Sequence, residues 1–359
     1  MRSTSVGVVD FPTLGDLVDG WIEQHCAVPD GFRRREPFRQ YDWQFWCSAN
    51  HFRVREDATF DPEHPPLSLA FTYRRTDVVA AQKLGKGPWA ACLTSVMAVG
   101  PSEFAGWARR GDVYDCADHG CECGWYFKYE KGEPMGMRHP SPLLQILASS
   151  QDQVANIWRP LTAMIKFNGS PLASLLSPRE EFIRVVGVNA DDPELDRIDA
   201  VTSSAQSRLG NPISGFIQDE TGTHTAQNGM AVVDAAQRRG AAGMSGRGVT
   251  TTNPWDSSQA SVAQKDFEAD LPDVFTFWSP PPKHLDFFDD EQRRAILLHN
   301  YSGSPHAQVD AIDAECVDLI KRGEGLVAER FFGNRVVEAK GSWMPEEAWD
   351  EAYVGYVAP

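Results

Sequence analysis

Basic residues are scarce in this chain. Its 359 residues hold 34 Lys and Arg against 50 Asp and Glu, a formal net charge of −16. A protein that coats nucleic acid with its whole surface carries the opposite balance, so contact with DNA would need a local basic strip or an assembled ring. No apolar run reaches the roughly 18–20 residues of a membrane-crossing helix. The chain does not open with a charged segment followed by an apolar one, so no secretory signal is expected. The seven cysteines are odd in number and mostly scattered, which suits a reducing compartment better than a disulfide scaffold. Internal repeats are also lacking. These absences lead to the expectation of a soluble intracellular protein. Its 42% hydrophobic content is ample for a substantial core in two or three structural units.

What the chain does have is a strand, a glycine turn, a lysine and a helix in succession between Thr76 and Val99. Val78–Ala81 reads as a buried strand. Gln82, Lys83, Gly85, Lys86 and Gly87 form the turn, and Trp89–Val99 is apolar and helix-compatible. Such a turn points backbone N–H groups and a helix N-terminus at a polyphosphate, while the lysine reaches the β/γ oxygens. Pro88 suits the first helical turn. The usual pattern is G-x-x-x-x-G-K-[ST]. Here Ala80 stands for the first glycine and Gly87 for the Ser/Thr that ordinarily ligates Mg²⁺, so a plain strand-to-helix turn remains an alternative for this stretch alone.

Two later stretches support the phosphate reading. Pro212–Glu220 is a short apolar strand ending in Asp219 and Glu220, and Gly248–Asn253 is a second strand ending in Thr250, Thr251, Thr252 and Asn253. In phosphoryl transfer the protein mainly positions groups and neutralises charge. Lys86 would hold the phosphates of ATP. Asp219 would hold Mg²⁺, which favours hard oxygen ligands, and Glu220 would act as general base on water. The Thr/Asn cluster would sense the γ-phosphate. Gln44, on a helix read over Pro37–Phe52, has an amide able to donate to and accept from an adenine edge.

Residues 1–36 read as a loose N-terminal arm with a short helix near Leu14–His25. Residues 37–283 read as the core, with strands at His51–Asp61 and Leu67–Tyr73 before the phosphate turn and an inserted hairpin or flap at about 106–137. Residues 284–359 read as a mostly helical lid, including a helix at Pro345–Tyr353. Alternating strands and helices imply an α/β fold with a mainly parallel sheet. The flap holds Cys116, His119, Cys121 and Cys123. Thiolate and imidazole suit zinc, but four ligands from eight residues can hardly surround a tetrahedral ion, and incidental thiols in a reduced turn are the alternative. The acidic turn Asp191–Glu194 reads as a solvated loop. Arg238, Arg239, Arg247 and Lys265 are the available guesses for DNA contacts.

From Tyr73 through Trp89, the sequence resembles the large terminase subunit of tailed bacteriophages, of the type found in phages of actinobacteria. The likeness continues through Ala148–Val154, Ser203–Gly210, Gln218–Thr221, Thr250–Trp255 and Gly341–Trp349. It implies an ASCE, RecA-like P-loop ATPase that pumps double-stranded DNA into a procapsid. By the same resemblance Gln44 matches the adenine motif, Lys86 the P-loop lysine, Asp219 and Glu220 the Walker B pair, and Thr251, Thr252 and Asn253 the coupling motif. Arg208 falls where the family carries an arginine finger that reaches a neighbour's site, which implies a ring-shaped homo-oligomer. Portal protein and small terminase subunit are the further implied partners, and the host cytoplasm, docked on the procapsid, is the implied location. Complete family members also carry a C-terminal nuclease; this sequence matches only up to the stretch that precedes it, so DNA cleavage is not expected. Another P-loop translocase or helicase, or a nucleotide-binding scaffold with little turnover, are the competing readings.

Overall fold

The computed structural model describes residues 1–148, 151–187, 195–202 and 211–338. Arg208, the acidic turn at 191–194 and the helix read at 345–353 lie outside the described residues.

The chain begins with β1 (Arg2–Ser3), α1 (Gly15–His25) and α2 (Asp42–His51), then enters the core through β2 (Arg75–Val79) and α3 (Lys86–Val99). Four short strands follow: β3 (Glu103–Trp107), β4 (Val113–Asp115), β5 (Tyr126–Lys128) and β6 (Pro134–Met137). After them come β7 (Leu143–Leu147), α4 (Gln151–Lys166), β8 (Leu176–Pro178), β9 (Phe182–Val185) and β10 (Arg197–Val201). The second half runs β11 (Gly215–Asp219), α5 (Met230–Gly243), β12 (Arg247–Thr252), α6 (Val262–Ala269) and β13 (Val274–Trp278). Three helices end it: α7 (Asp290–Tyr301), α8 (Val309–Lys321) and α9 (Gly325–Phe331).

One nine-stranded sheet takes the order β1-β13-β2-β12-β11-β7-β10-β9-β8. It is parallel from β1 through β10; β9 alone runs the other way, pairing antiparallel with β10 on one side and with β8 on the other. The mainly parallel α/β sheet expected from the sequence is therefore present. Every residue of β2, β11 and β12 is buried, because strands covered by helices on both faces lose the in–out alternation of a half-exposed strand. Trp89 through Val99 is buried on all sides, as a helix packed between a sheet and a neighbouring helix must be; α3 lies against both the sheet and α4.

Two expectations need correction. The segments 51–61 and 67–73 are not strands. They contribute single bridges, Thr13 to Arg53 and Val54 to Phe71, and Leu67–Ala70 is a 3₁₀ turn. Both edges of β2 are already taken by β12 and β13, so the sheet offers these residues no ladder. Nor are residues 1–36 a loose arm. β1 pairs with β13, and α1 buries Leu17, Val18, Trp21 and Ile22 in the main core. The segment read as a flap holds two antiparallel ladders, β3 with β6 and, nested inside them, β4 with β5.

Candidate functional site

The loop after β2 has an unusual distribution of hydrogen bonds. Each carbonyl from Ala80 to Gly85 receives a protein donor. Lys86 Nζ donates to Ala80 O (2.8 Å) and Ala81 O (3.0 Å), and Asn253 Nδ2 also donates to Ala80 O (2.8 Å). Tyr301 Oη donates to Gln82 O (2.7 Å), His306 Nε2 to Lys83 O (3.0 Å), Ser304 Oγ to Leu84 O (3.0 Å) and Gln44 Nε2 to Gly85 O (3.3 Å). The N–H groups of Lys83, Leu84 and Gly85 make no hydrogen bond among the described residues. With the carbonyls held outward and the amides free at the start of α3, the loop is arranged to surround an anion. Gly85 sits at φ +102°, a conformation that favours glycine.

Two neighbouring strands deliver the other groups. β12 lies next to β2, and β11 lies next to β12, so Asp219, Glu220, Thr251, Thr252 and Asn253 all reach the edge that carries Lys86. Thr251 Oγ1 donates to Asp219 (2.6 Å), and Gly222 N donates to Thr252 Oγ1 (2.8 Å). Burial raises the carboxyl pKa of Asp219, with Thr251 and Lys86 opposing. Burial also raises that of Glu220, reinforced by the adjacent Asp219 charge and opposed by Lys86. Lys86 is pushed down by burial, and Glu220 and Asp219 partly restore it. Glu220 has a positive φ of 56°, a strained backbone of the kind that clusters at functional sites. Asn253 Oδ1 is buried without a hydrogen-bond partner.

Gln44 is buried against Gly85, but its amide is engaged on both sides. Its Oε1 accepts from Tyr41 N (2.9 Å) in a capping box, while Nε2 faces Gly85 O. Gly87 has a local explanation: a Cβ there would meet the backbone oxygen of Asn156 at 2.6 Å. The close approach of α4 to α3 therefore excludes the Ser or Thr usual at this position.

Three residues of this site were missed by sequence reasoning. His306 stacks on Tyr41 (5.6 Å, 7°) and borders a cleft of about 280 Å³ beside Lys83, lined also by Gln308, Ile312 and Phe332. Tyr301 holds Gln82 as described. Arg330, on α9, donates to Pro254 O (2.6 Å) and Gly222 O (3.3 Å), and its charge is felt by Glu220. These contacts span more than two hundred residues or, for Arg330, arise from a short helix with no distinguishing pattern.

Other expectations fail on geometry. His119 is not with the three cysteines: its ring stacks on Tyr114 (4.4 Å, 10°). His25 from α1 takes that place. Arg238 is no DNA contact, being paired with Asp234 and Asp266 and bonded to Gln218. Arg247 is buried, donating to His51 O (2.8 Å) and Ser102 O (2.7 Å) with its guanidinium 3.6 Å from the Phe71 ring centroid. Arg239 and Lys265 remain exposed.

Among solved structures, the chain is similar to the large terminase of bacteriophage HK97, with 15% sequence identity and a TM-score of 0.60 over 90% of this chain. The match spans 55% of the HK97 protein, so this chain corresponds to about half its length. It is also similar to the large terminase ATPase domain of a Thermus phage, at 11% identity and TM-score 0.42, covering 77% of this chain and 94% of that one. No protein-family model matches the chain, and no curated protein does. The fold is that of an α/β P-loop NTPase, with a mainly parallel sheet and one strand between those bearing the lysine and the carboxylates. Within that class, the fold is like that of a phage large terminase.

Proposed function

We propose that this chain is the ATP-hydrolysing motor part of a large-terminase-type machine that drives double-stranded DNA into a viral procapsid. The observation that carries the reading is the loop from Ala80 to Gly85, its carbonyls bound and the amides of Lys83, Leu84 and Gly85 free, beside Lys86, Asp219 and Glu220. The donor set fits a magnesium nucleotide. Free amides and an ammonium suit phosphate oxygens, and a buried carboxylate suits a hard cation. Lys86 and the loop amides would hold the phosphates, Asp219 the Mg²⁺, and the cleft beside Tyr41 and His306 the base. Bound MgATP supplies the activated γ-phosphoryl group and a cation that neutralises its charge.

The chain's own residues then have separable roles. Glu220, as carboxylate, takes a proton from water at its side-chain oxygen; its raised pKa makes it the stronger base. Lys86 leaves the carbonyls of Ala80 and Ala81, so Ala80 O keeps only Asn253 as donor. That exchange is a direct mechanical link between the phosphate loop and the end of β12. Arg330 braces the turn after Glu220 against Pro254 and positions the base. Arg208 would complete a neighbour's site in a ring, and the portal and small terminase would be the ring's partners.

The test is ATP hydrolysis against protein concentration, with wild type beside Glu220→Ala and Arg208→Ala. Turnover that rises faster than linearly with concentration and is lost in both variants supports a shared-site motor. Linear turnover indifferent to Arg208→Ala would overturn the ring.

One observation favours a second reading, a nucleotide-binding scaffold with little turnover. Gly87 lacks the metal-ligating hydroxyl, and the Asn156 carbonyl bars its restoration. Clear nucleotide binding without hydrolysis at any concentration, with or without DNA, would favour it.

A further inference from the structure

Away from the phosphate loop, four metal-ligating side chains converge where α1 ends. His25 Nε2 lies 3.6 Å from Cys116 Sγ, 3.5 Å from Cys121 Sγ and 3.4 Å from Cys123 Sγ. All four ligand atoms fall within 4.8 Å of one another. Zinc bonds of about 2.3 Å to sulfur and 2.0–2.1 Å to nitrogen, set at the tetrahedral angle, give a sulfur–nitrogen edge of about 3.5–3.6 Å. Three sulfurs at 3.4–3.6 Å from one nitrogen therefore trace three edges of a zinc tetrahedron.

Hydrogen bonding to the imidazole does not account for the cluster. His25 Nδ1 lies 2.8 Å from Trp21 O, so it carries the proton, and Nε2 is left as a bare lone pair. That lone pair can accept one thiol proton, yet three thiols face it. An ion at the centre accepts all four lone pairs at once. The carbonyl of Trp21 then plays the part that outer groups commonly play at zinc, fixing the tautomer and the ring plane of a ligating histidine. Trp125 N donates to Cys123 Sγ at 3.5 Å, a bond that stabilises a thiolate. Trp21 stacks on the imidazole (4.2 Å, 9°) and Trp125 meets it edge-on (6.1 Å, 88°), so the site has an apolar wall. Arg138 supplies a balancing cation, near enough to feel the charge of Cys121 and with its Nε and Nη2 buried and unpartnered.

We propose that His25, Cys116, Cys121 and Cys123 form a structural Zn²⁺ site that staples the β4–β5 flap to the C-terminus of α1. The crowding inherent in a ligand set of Cys116, His119, Cys121 and Cys123 disappears. One turn supplies three sulfurs, and a helix about ninety residues earlier in sequence supplies the fourth ligand. Binding replaces three S–H bonds with three Zn–S bonds and releases three protons, leaving a Cys₃His centre of net charge −1. The set is closed, with four protein ligands and no position left for water, which marks a structural rather than a catalytic ion. Sulfur-rich ligation selects zinc over magnesium or calcium. Through α1, which packs on α2, the ion holds the flap to the same helix pair that carries Gln44 and Tyr41.

The test is elemental analysis of tag-free full chain dialysed against metal-free buffer. Wild type and His119→Ala should carry about one zinc per chain, and His25→Ala and Cys121→Ser should carry about a tenth of that or less. A readout that needs no variant is titration of wild type with a mercurial reagent in the presence of a zinc-sensitive dye. One zinc should be released as the thiols react. Cobalt exchanged into the site should give the intense visible bands of tetrahedral thiolate coordination. Metal-free wild type that takes up no cobalt would overturn the proposal. So would a disulfide among the three cysteines, or zinc lost in His119→Ala but kept in His25→Ala.

Discussion

At the residue scale, Glu220 would couple the proposed chemistry to stability. Its folded pKa is raised above 4.5 by burial and by Asp219, so the fold disfavours its ionised form. The stability cost is absent below the unfolded pKa, appears as pH rises through the folded pKa, and is fully present above it. Glu220→Gln removes the charge at nearly constant shape. It should abolish hydrolysis while stabilising the fold near neutral pH by on the order of 1 kcal/mol, an increase in Tm of about 1–2 °C for a chain of this length. That gain should shrink on acidification toward pH 4.5, where the wild-type carboxyl is itself neutral. Thermal denaturation across pH measures it, and a Tm that falls, or a gain that grows with acid, would contradict the assignment. The convergence of Lys86, Asp219, Glu220 and Asn253 on one end of the sheet was legible in the sequence because each ends a strand or follows one by a short turn, where a few adjacent residues betray both the strand and the group. His25 and Arg330 were not legible. Each acts on atoms more than seventy residues away, and neither sits in a local pattern that separates it from any other helical His or Arg.

The elements were legible in proportion to how far their own residues determine them. Apolar runs with flanking turns marked β2, β7, β11, β12 and β13, and the long helices α3, α4 and α5 followed from period and length. The segments at 51–61 and 67–73 have suitable residues for strands, but strand formation needs a free neighbouring edge, which no local sequence encodes. The same dependence operates between the lid and the phosphate loop. Tyr301 at the end of α7, Ser304 and His306 in the following loop and Phe331 of α9 hold Gln82, Lys83 and Leu84 in place. Tyr301→Phe removes one such bond and leaves the aromatic packing. It should cost about 1 kcal/mol of stability and raise the Kd for nucleotide, because the Gln82 carbonyl is released to compete with the amides for orientation. Isothermal titration with a non-hydrolysable ATP analogue would check it. Unchanged affinity alongside the lost stability would mean that the lid supports the core without shaping the loop.

At the scale of the whole molecule, the excess of carboxylates sets what one copy can do. Two of the four basic residues picked out by sequence are committed inside the fold, Arg238 to carboxylates and Arg247 to carbonyls and Phe71. With a net charge of −16, a single chain should form no complex with double-stranded DNA tighter than about 1 μM at physiological salt, the upper end of ordinary non-specific binding. Fluorescence anisotropy with a short duplex measures this. A tighter, steeply salt-dependent complex from the isolated chain would reveal a basic strip already formed on one subunit.

The position of β2 has a consequence for biosynthesis. The strand that launches the phosphate loop ends at Val79, yet both of its neighbours, β12 and β13, are encoded after residue 246. At translation speeds of about 5–20 residues per second, the nascent chain carries an unpaired, Val-rich strand for roughly ten seconds or more before either partner emerges. The paired surroundings of the loop after β2 therefore cannot exist on a partial product, and both edges of that strand stay open until the second half arrives.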